Sequence, residues 1–487
     1  MIILFNPRAT RPRSRRFPLS VLTIAAVLEG RWPYTIVDGN LDPDPVASIS
    51  AILKQHPQAV LAATVMPGPQ MRAAISCCRP LRAAFPGVTI VWGGYFPTLY
   101  PDAALNAPYV DYVVRGQGED TFLELLAALP DRAGRAEIRG LSYRDAAGAH
   151  HHNPERVMKN PGTFPWLPYH RLPVDRYLLP SFLGRRTAVH QASLGCPYPC
   201  SFCGVATAFG SREKMEAPVR TAAVLQHLSS HYGADAVQFY DNNFFLREDT
   251  ARELAERLTP LHLRWWCEAR IDAMLRFSDA TFAALRRSGA TMIFFGAESG
   301  SNWVLQDMNK HLRVEQTLEL AARIRGFGII PEFSFVVGNP KDPDRDTREC
   351  LAFIRRLKRI HPASEIILYH YTPVPQRDRM YGDVEAQIQF PNTPEEWATE
   401  RWFNFTIRRS PHSPWLAART RRTIDNFRLV VASHWPTIQD IRMPRWGRWL
   451  LRGLSAWRYL CRIYAWPVEL RWLQRLLRQR QPESESL

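Results

Sequence analysis

The stretch 193–210, SLGCPYPCSFCGVATAFG, constrains this chain more than any other. It puts Cys196, Cys200 and Cys203 on one short loop in a Cys-x3-Cys-x2-Cys spacing, with Pro197 and Pro199 keeping the backbone out of helix and strand. Thiols packed so closely call for a soft partner, either zinc or an iron–sulfur cluster. The remaining cysteines form no disulfide framework: Cys77 and Cys78 are adjacent, and Cys267, Cys350 and Cys461 stand alone. Reduced thiols are therefore expected. The N-terminal MIILFNPR is too short for a signal segment, and no apolar run is long enough to cross a bilayer, so the expected location is cytoplasmic.

At 487 residues the chain predicts two large domains and smaller additions. Residues 1–130 alternate β-branched runs, at 2–5, 34–38, 59–64, 88–92 and 111–114, with helical patterns, which predicts a Rossmann-like parallel sheet covered by helices. Ligands of such sheets bind beyond the carboxyl ends of the strands. There the sequence turns to glycine and proline: Met66-Pro67-Gly68, then Gly93-Gly94-Tyr95, then Gly116-Gln117-Gly118-Glu119. Loops of this kind are either tight turns or places where the backbone approaches a large flat or phosphate-bearing ligand. Asp38-Gly39-Asn40, after the second strand, is a further candidate wall, and no Gly-x-Gly-x-x-Gly is present to bind a nicotinamide cofactor.

Residues 131–185 read as a connector, with a hairpin over GLSYRDAAGAHHHNPERV and a proline-dense segment. His150, His151 and His152 lie on a strand of that hairpin, where neighbours point to opposite faces and do not converge on one ion. Residues 186–385 resume the βα alternation, with predicted strands at 187–193, 236–241, 264–271, 291–298, 332–338 and 366–371. Six units predict a partial (β/α)6 barrel with its active site at the strand carboxyl ends, and the cysteine loop directly follows the first strand. A structural zinc wants a fourth ligand close by, for which only His190 is available. An iron–sulfur cluster on three cysteines keeps one iron open for chemistry.

The cysteine spacing, with Phe202 just before the last cysteine, resembles the radical S-adenosylmethionine superfamily, and the glycine loops of residues 1–130 resemble the cobalamin-binding domain that precedes some of these cores. The resemblance covers roughly residues 1–385 and is to the cobalamin-dependent radical S-adenosylmethionine enzymes. It implies a 4Fe-4S cluster on Cys196, Cys200 and Cys203, whose open iron chelates the amino and carboxylate groups of S-adenosylmethionine. It further implies that Glu298 and Ser299 contact the ribose and amino-acid portion, Arg270 the carboxylate, and Gly338 and Asn339 the adenine. Tyr240-Asp241-Asn242 stands where the family has Gly-Gly-Glu, so Asp241 takes the glutamate's place. Cobalamin would lie against Met66, Gly68, Gly93, Gly94, Tyr95, Gly116, Gly118 and Glu119, its own base displaced. No histidine would sit beneath its cobalt, because Asp-x-His-x-x-Gly is missing.

The activity so implied is methyl transfer to an unactivated carbon of a small molecule: a 5′-deoxyadenosyl radical takes hydrogen and methylcobalamin supplies the methyl group. Flavodoxin or ferredoxin would donate the electron. The alternatives are oxidative cyclisation or rearrangement without methyl transfer and, from other classes, RNA modification or a zinc scaffold. The final region, 386–487, is predicted helical and contributes heavily to a net charge of +16. Trp446, Trp449, Leu450, Leu454 and Trp457 recur at helical spacing among arginines, with a break at Pro467. Such a region packs on the barrel, lies on a membrane surface, or binds RNA. Nucleic acid is the least favoured, and a lipophilic substrate would favour the membrane.

The cluster expectation is tested by anaerobic reconstitution, which should yield about four irons per chain. Replacing Cys196, Cys200 or Cys203 by Ala should abolish the iron, and Cys267→Ala should not. Stoichiometric zinc that survives in air would contradict it.

Overall fold

The computed structural model describes residues 1–130, 134–373, 380, 382, 388–406, 413–440 and 443–477. The first sheet is built from β1 (Ile2–Asn6), β2 (Tyr34–Asp38), β3 (Val60–Thr64), β4 (Thr89–Gly93), β5 (Tyr112–Val114), β6 (Leu141–Arg144) and β7 (His150–His152). Its order is β2-β1-β3-β4-β5-β6-β7. Strands β1 to β5 run parallel, while β6 and β7 are antiparallel additions. The strands read as continuous apolar runs because helices cover both faces, leaving a separate apolar core on each side. The hairpin expected in the connector thus pairs with β5 and covers what would otherwise be a bare edge. His150 and His152 share one face and both bond Asp102, at 2.8 and 2.9 Å; His151 points the other way and bonds Asp145 at 2.7 Å.

The second sheet contains β8 (Thr187–His190), β11 (Ala236–Phe239), β12 (Arg264–Ala269), β13 (Ala290–Glu298), β14 (Ile330–Val337) and β15 (Glu365–His370). All six are parallel, in the order β15-β14-β13-β12-β11-β8; among the described residues β15 has no further strand beside it and β8 makes only one antiparallel bridge, Thr187 to Leu179, so the barrel is open. The first barrel strand is shorter than the sequence predicts. Beyond His190 the chain leaves the sheet and forms a separate hairpin of β9 (Ser193–Gly195) and β10 (Glu213–Met215), which brackets the cysteine loop.

Among the C-terminal helices, Ala418–His434 lies against β15 and the helix Pro343–Ile360, and Arg445–Cys461 and Val468–Leu476 pack on it in turn. Gln439 closes the lower end of the barrel, donating from Nε2 to Glu332 at 2.7 Å and Glu365 at 2.6 Å. Among the described residues no helix is long and apolar enough to cross a membrane. The expected end of the barrel region at 385, and the chain beyond 477, lie outside the described residues.

The two sheets are tied together by a buried hydrogen bond, from Tyr177 Oη to Asp38 Oδ2 at 2.5 Å. The other Asp38 oxygen accepts from Asn6 Nδ2 and the Asn40 backbone, at 2.8 and 2.9 Å. Asp38-Gly39-Asn40 is therefore a structural corner and lines none of the clefts described below, contrary to its reading as a pocket wall. Tyr177→Phe strips a charge-assisted buried bond and should cost ~1–3 kcal/mol, read as a lowered melting temperature. No change in melting would mean that the bond does not hold the two sheets together.

Candidate functional site

The cysteine loop begins at a narrow throat. Gly195 has φ +82°, and a Cβ there would sit 2.1 Å from the Arg212 carbonyl oxygen, so only glycine lets β9 and β10 pair at the loop base. The loop is pinned from the far side of the barrel: Ser201 N and Oγ donate to the Met308 and Asp307 carbonyls at 3.1 and 3.0 Å, and Asn309 Nδ2 donates to Pro199 O at 3.0 Å. Cys200 is buried, and Cys196 and Cys203 are partly so. Burial pushes the Cys196 and Cys203 thiols up, an effect that a bound cation would reverse. Among the described residues, no three Cys, His, Asp or Glu side chains are gathered as tightly as metal ligands. His190, the histidine nearest in sequence to the loop, is bonded through Nε2 to Glu216 at 2.8 Å.

Residues from the ends of β12 and β13 reach this loop. Arg270 follows β12, and its guanidinium lies over the Tyr198 ring at 3.7 Å with Nη1 3.4 Å from Cys200 Sγ. Nε donates to Asp272 at 2.9 Å and Nη2 to the Lys310 carbonyl at 2.6 Å. The expected free fork for a carboxylate is thus largely spent on the protein. Glu298 ends β13 with φ +62° and pairs with buried Lys310 at 2.7 Å, and that ammonium stands 5.9 Å from the Phe202 ring centroid. Ser299 Oγ donates to Asp346 Oδ1 at 3.3 Å, while Asp346 Oδ2 accepts from Gly338 N and Asn339 N at 2.8 and 2.9 Å. One carboxylate, pushed up to about 6 by burial, therefore ties the ends of β13 and β14 together.

Sequence reasoning missed Lys310 and Asp346. Neither belongs to a spaced motif; only the question of which cation offsets Glu298 would have found Lys310. Tyr240 is exposed, but Asp241 is fully buried, and its Oδ1 accepts the Ser193 backbone N–H. Asp241 therefore braces the base of the cysteine loop through Oδ1, while its buried Oδ2 has no hydrogen-bond partner. Burial pushes its carboxyl up to about 6.

A cleft opens at the ends of β3, β4 and β5, where the strand order reverses between β1 and β3. Gly93, Gly94, Gly116, Gly118 and Glu119 line it, with Leu4, Ile24 and Phe122 behind. Gly94 has φ +97°, and a Cβ there would stand 2.8 Å from Thr64 Oγ1. Met66, Gly68 and Tyr95 do not line the cleft, and Met66 is half exposed to solvent. Opposite the glycines the wall is Gln191 and Leu194, from the segment that leads into the cysteine loop. An adjoining chamber shares Gln117, Glu119, Gln191 and Leu194 and adds Phe164, Trp166 and His190. His190 Nδ1, Ser193 Oγ and Tyr169 Oη are buried on this chamber's lining without a hydrogen-bond partner. An apolar cleft rimmed by glycine backbone and bordered by unsatisfied polar atoms fits a flat corrin ring fringed with amides.

Comparison with known proteins bears on both halves. Residues 10–126 match the B12 binding domain family, and residues 191–354 match the Radical SAM superfamily. The chain is 26% identical over 343 residues to an uncharacterized methyltransferase, PH0819, of Pyrococcus horikoshii, covering 70% of this chain and 73% of that one. It is 24% identical over 390 residues to the anaerobic magnesium-protoporphyrin IX monomethyl ester cyclase of Synechocystis, covering 76% and 75%. Its fold matches that of the radical S-adenosylmethionine methyltransferase TsrM from Kitasatospora setae, solved with cobalamin and a [4Fe-4S] cluster, with a TM-score of 0.63 at 18% identity over 79% of this chain and 74% of that one.

Burial pushes the Glu119 carboxyl from 4.5 up to about 7. A raised carboxyl contributes stability that is full below its unfolded value and lost as pH rises through its folded value. Glu119→Gln should leave the melting temperature unchanged near about pH 4 and raise it near about pH 8, by on the order of 3 kcal/mol in stability. A variant no more stable than the parent at the higher pH would contradict this environment.

Proposed function

We propose that this chain, a radical S-adenosylmethionine enzyme with a cobalamin-binding domain ahead of its barrel, is a methyltransferase acting on an unactivated carbon of a small molecule. The observation that carries the reading is the shared wall: Gln191 and Leu194 border the glycine-rimmed cleft and lead directly into the cysteine loop. A methyl donor in the cleft and a radical source on the loop would then face one substrate.

When bound, the three cofactors supply reductive cleavage of S-adenosylmethionine and delivery of a methyl group. The chain's own residues bind and orient. Cys196, Cys200 and Cys203 serve as the cluster ligands, with Arg270 holding the loop at Cys200 and Phe202 packing beside Lys310. Glu298, Ser299, Gly338 and Asn339 form the S-adenosylmethionine wall, kept in register by Lys310 and Asp346. Gly93, Gly94, Gly116, Gly118 and Glu119 form the cobalamin wall, and Phe164 and Trp166 exclude water where the two halves meet.

We take 1–130 as the cobalamin-binding domain, 131–185 as the connector, 186–385 as the radical core and 386–487 as the C-terminal region. An external one-electron donor of the flavodoxin or ferredoxin kind, a lipophilic substrate and peripheral membrane contact from the cytoplasmic side complete the reading. The relatives named as methyltransferases support it. The relatedness to a cyclase favours a second reading, oxidative ring formation without methyl transfer.

With its substrate, the enzyme should release 5′-deoxyadenosine and S-adenosylhomocysteine in about equal amounts with methylated product, because one S-adenosylmethionine makes the radical and a second restores the methyl donor. Gly94→Phe should block corrinoid binding and methyl transfer yet leave slow deoxyadenosine formation. Turnover with deoxyadenosine alone would replace methyl transfer by the cyclase reading.

A further inference from the structure

The helices Arg445–Cys461 and Val468–Leu476 each carry apolar residues on two faces. The inner faces are already satisfied: Leu451, Tyr459, Leu470 and Leu473 are buried, and Gln474 bonds Ser433 at 2.9 Å. The outer faces are not. Trp446, Trp449, Trp457, Trp466 and Trp472 are 62, 73, 48, 77 and 64% exposed, with Leu450, Leu454, Leu460 and Leu476 exposed among them. Trp466 holds φ +47°, a conformation that a bulky residue adopts at a cost, and there its ring is turned outward between the two helices. A continuous apolar face of this kind marks a partner.

The charges say which partner. Between residues 443 and 477 the only acidic residue is Glu469, and both oxygens of its carboxylate are taken by Arg458. Arg445, Arg452, Arg462, Arg471 and Arg475 are exposed beside the tryptophans, and among the described residues none of them is ion-paired. Interfacial tryptophans, aliphatic side chains between them and arginines at the margin are the pattern of a helix pair lying in a bilayer surface. Exposed leucines have no use on RNA, which asks for aromatic platforms and phosphate contacts alone. No helix among the described residues can span a membrane, so the pair would lie in the interface and not cross it.

We infer that this outer face is a docking surface for an anionic lipid bilayer, inserting the tryptophans at headgroup depth with the arginines against phosphate. The inference gives a partner to the peripheral contact proposed above and does not depend on the catalytic assignment.

Full-length, cluster-loaded protein should sediment with vesicles of mixed phosphatidylglycerol and phosphatidylcholine, weakly with phosphatidylcholine alone, and less as salt rises. Replacing Trp446, Trp449, Trp466 and Trp472 together by Ser should lower the partition coefficient about a hundredfold or more, since these rings touch little of the protein. Replacing Arg445, Arg462 and Arg475 by Gln should lower it about tenfold or more on anionic vesicles. The proposal is overturned if the parent stays in the supernatant with anionic vesicles, or if the tryptophan variant sediments like the parent. It is also overturned if RNA displaces the vesicles, or if sedimentation velocity shows a parent dimer that the tryptophan variant loses, which would give the face to a second copy. Reductive cleavage of S-adenosylmethionine in buffer, measured on the same proteins, should be unchanged in both variants. Failure of that cleavage in the parent would remove the catalytic reading and leave the vesicle result standing.

Discussion

A loop of three cysteines that keeps one coordination position free must be walled off from water, and the rest of the molecule is arranged around that wall. The β9–β10 hairpin lifts the loop out of the barrel sheet, a step that only a glycine at 195 permits. Contacts from residues 307–310 and Arg270 hold it over the strand ends. The carboxyl ends of β3 to β5 in the other sheet border a cleft that Gln191 and Leu194, which lead into the loop, also line. Two sheets, each built around parallel strands, are held against each other. The buried Tyr177–Asp38 bond is one of the ties that keeps them so.

The electrostatics follow the same logic. Two carboxylates near the strand ends are offset locally, Glu298 by the buried Lys310 and Asp346 by the backbone N–H groups of Gly338 and Asn339. Glu119, facing the cleft with no cation at hand, is instead driven toward its neutral form by burial. A neutral carboxyl can donate a hydrogen bond to an amide oxygen, which an ionised one cannot.

Most of the architecture was legible in the chain because it rests on short-range pattern. Both faces of each sheet are buried, so the strands announce themselves as apolar runs, and the cysteine loop announces itself by spacing. What escaped was contact between residues far apart in sequence. Lys310, Asp346 and Gln439 act on partners that no motif links to them. The bond from Ser193 to Asp241 is of the same kind, since a position after a strand does not tell whether one carboxylate oxygen turns inward. Met66, Gly68 and Tyr95 do not line the cleft, and a glycine-rich turn in sequence shows only that a backbone can approach a ligand. The C-terminal periodicity was visible, yet the helices are apolar on two sides, so packing against the barrel and an exposed apolar face coexist where sequence reasoning treated them as rivals.

Whether the cleft and the cysteine loop serve one substrate is read out by electron paramagnetic resonance on protein loaded with cob(II)alamin and the iron–sulfur cluster. The account predicts that reducing the cluster to its paramagnetic state will broaden the cobalt signal or speed its relaxation, through magnetic coupling across the wall formed by Gln191 and Leu194. A cobalt signal indifferent to the oxidation state of the cluster would place the two cofactors apart and contradict it.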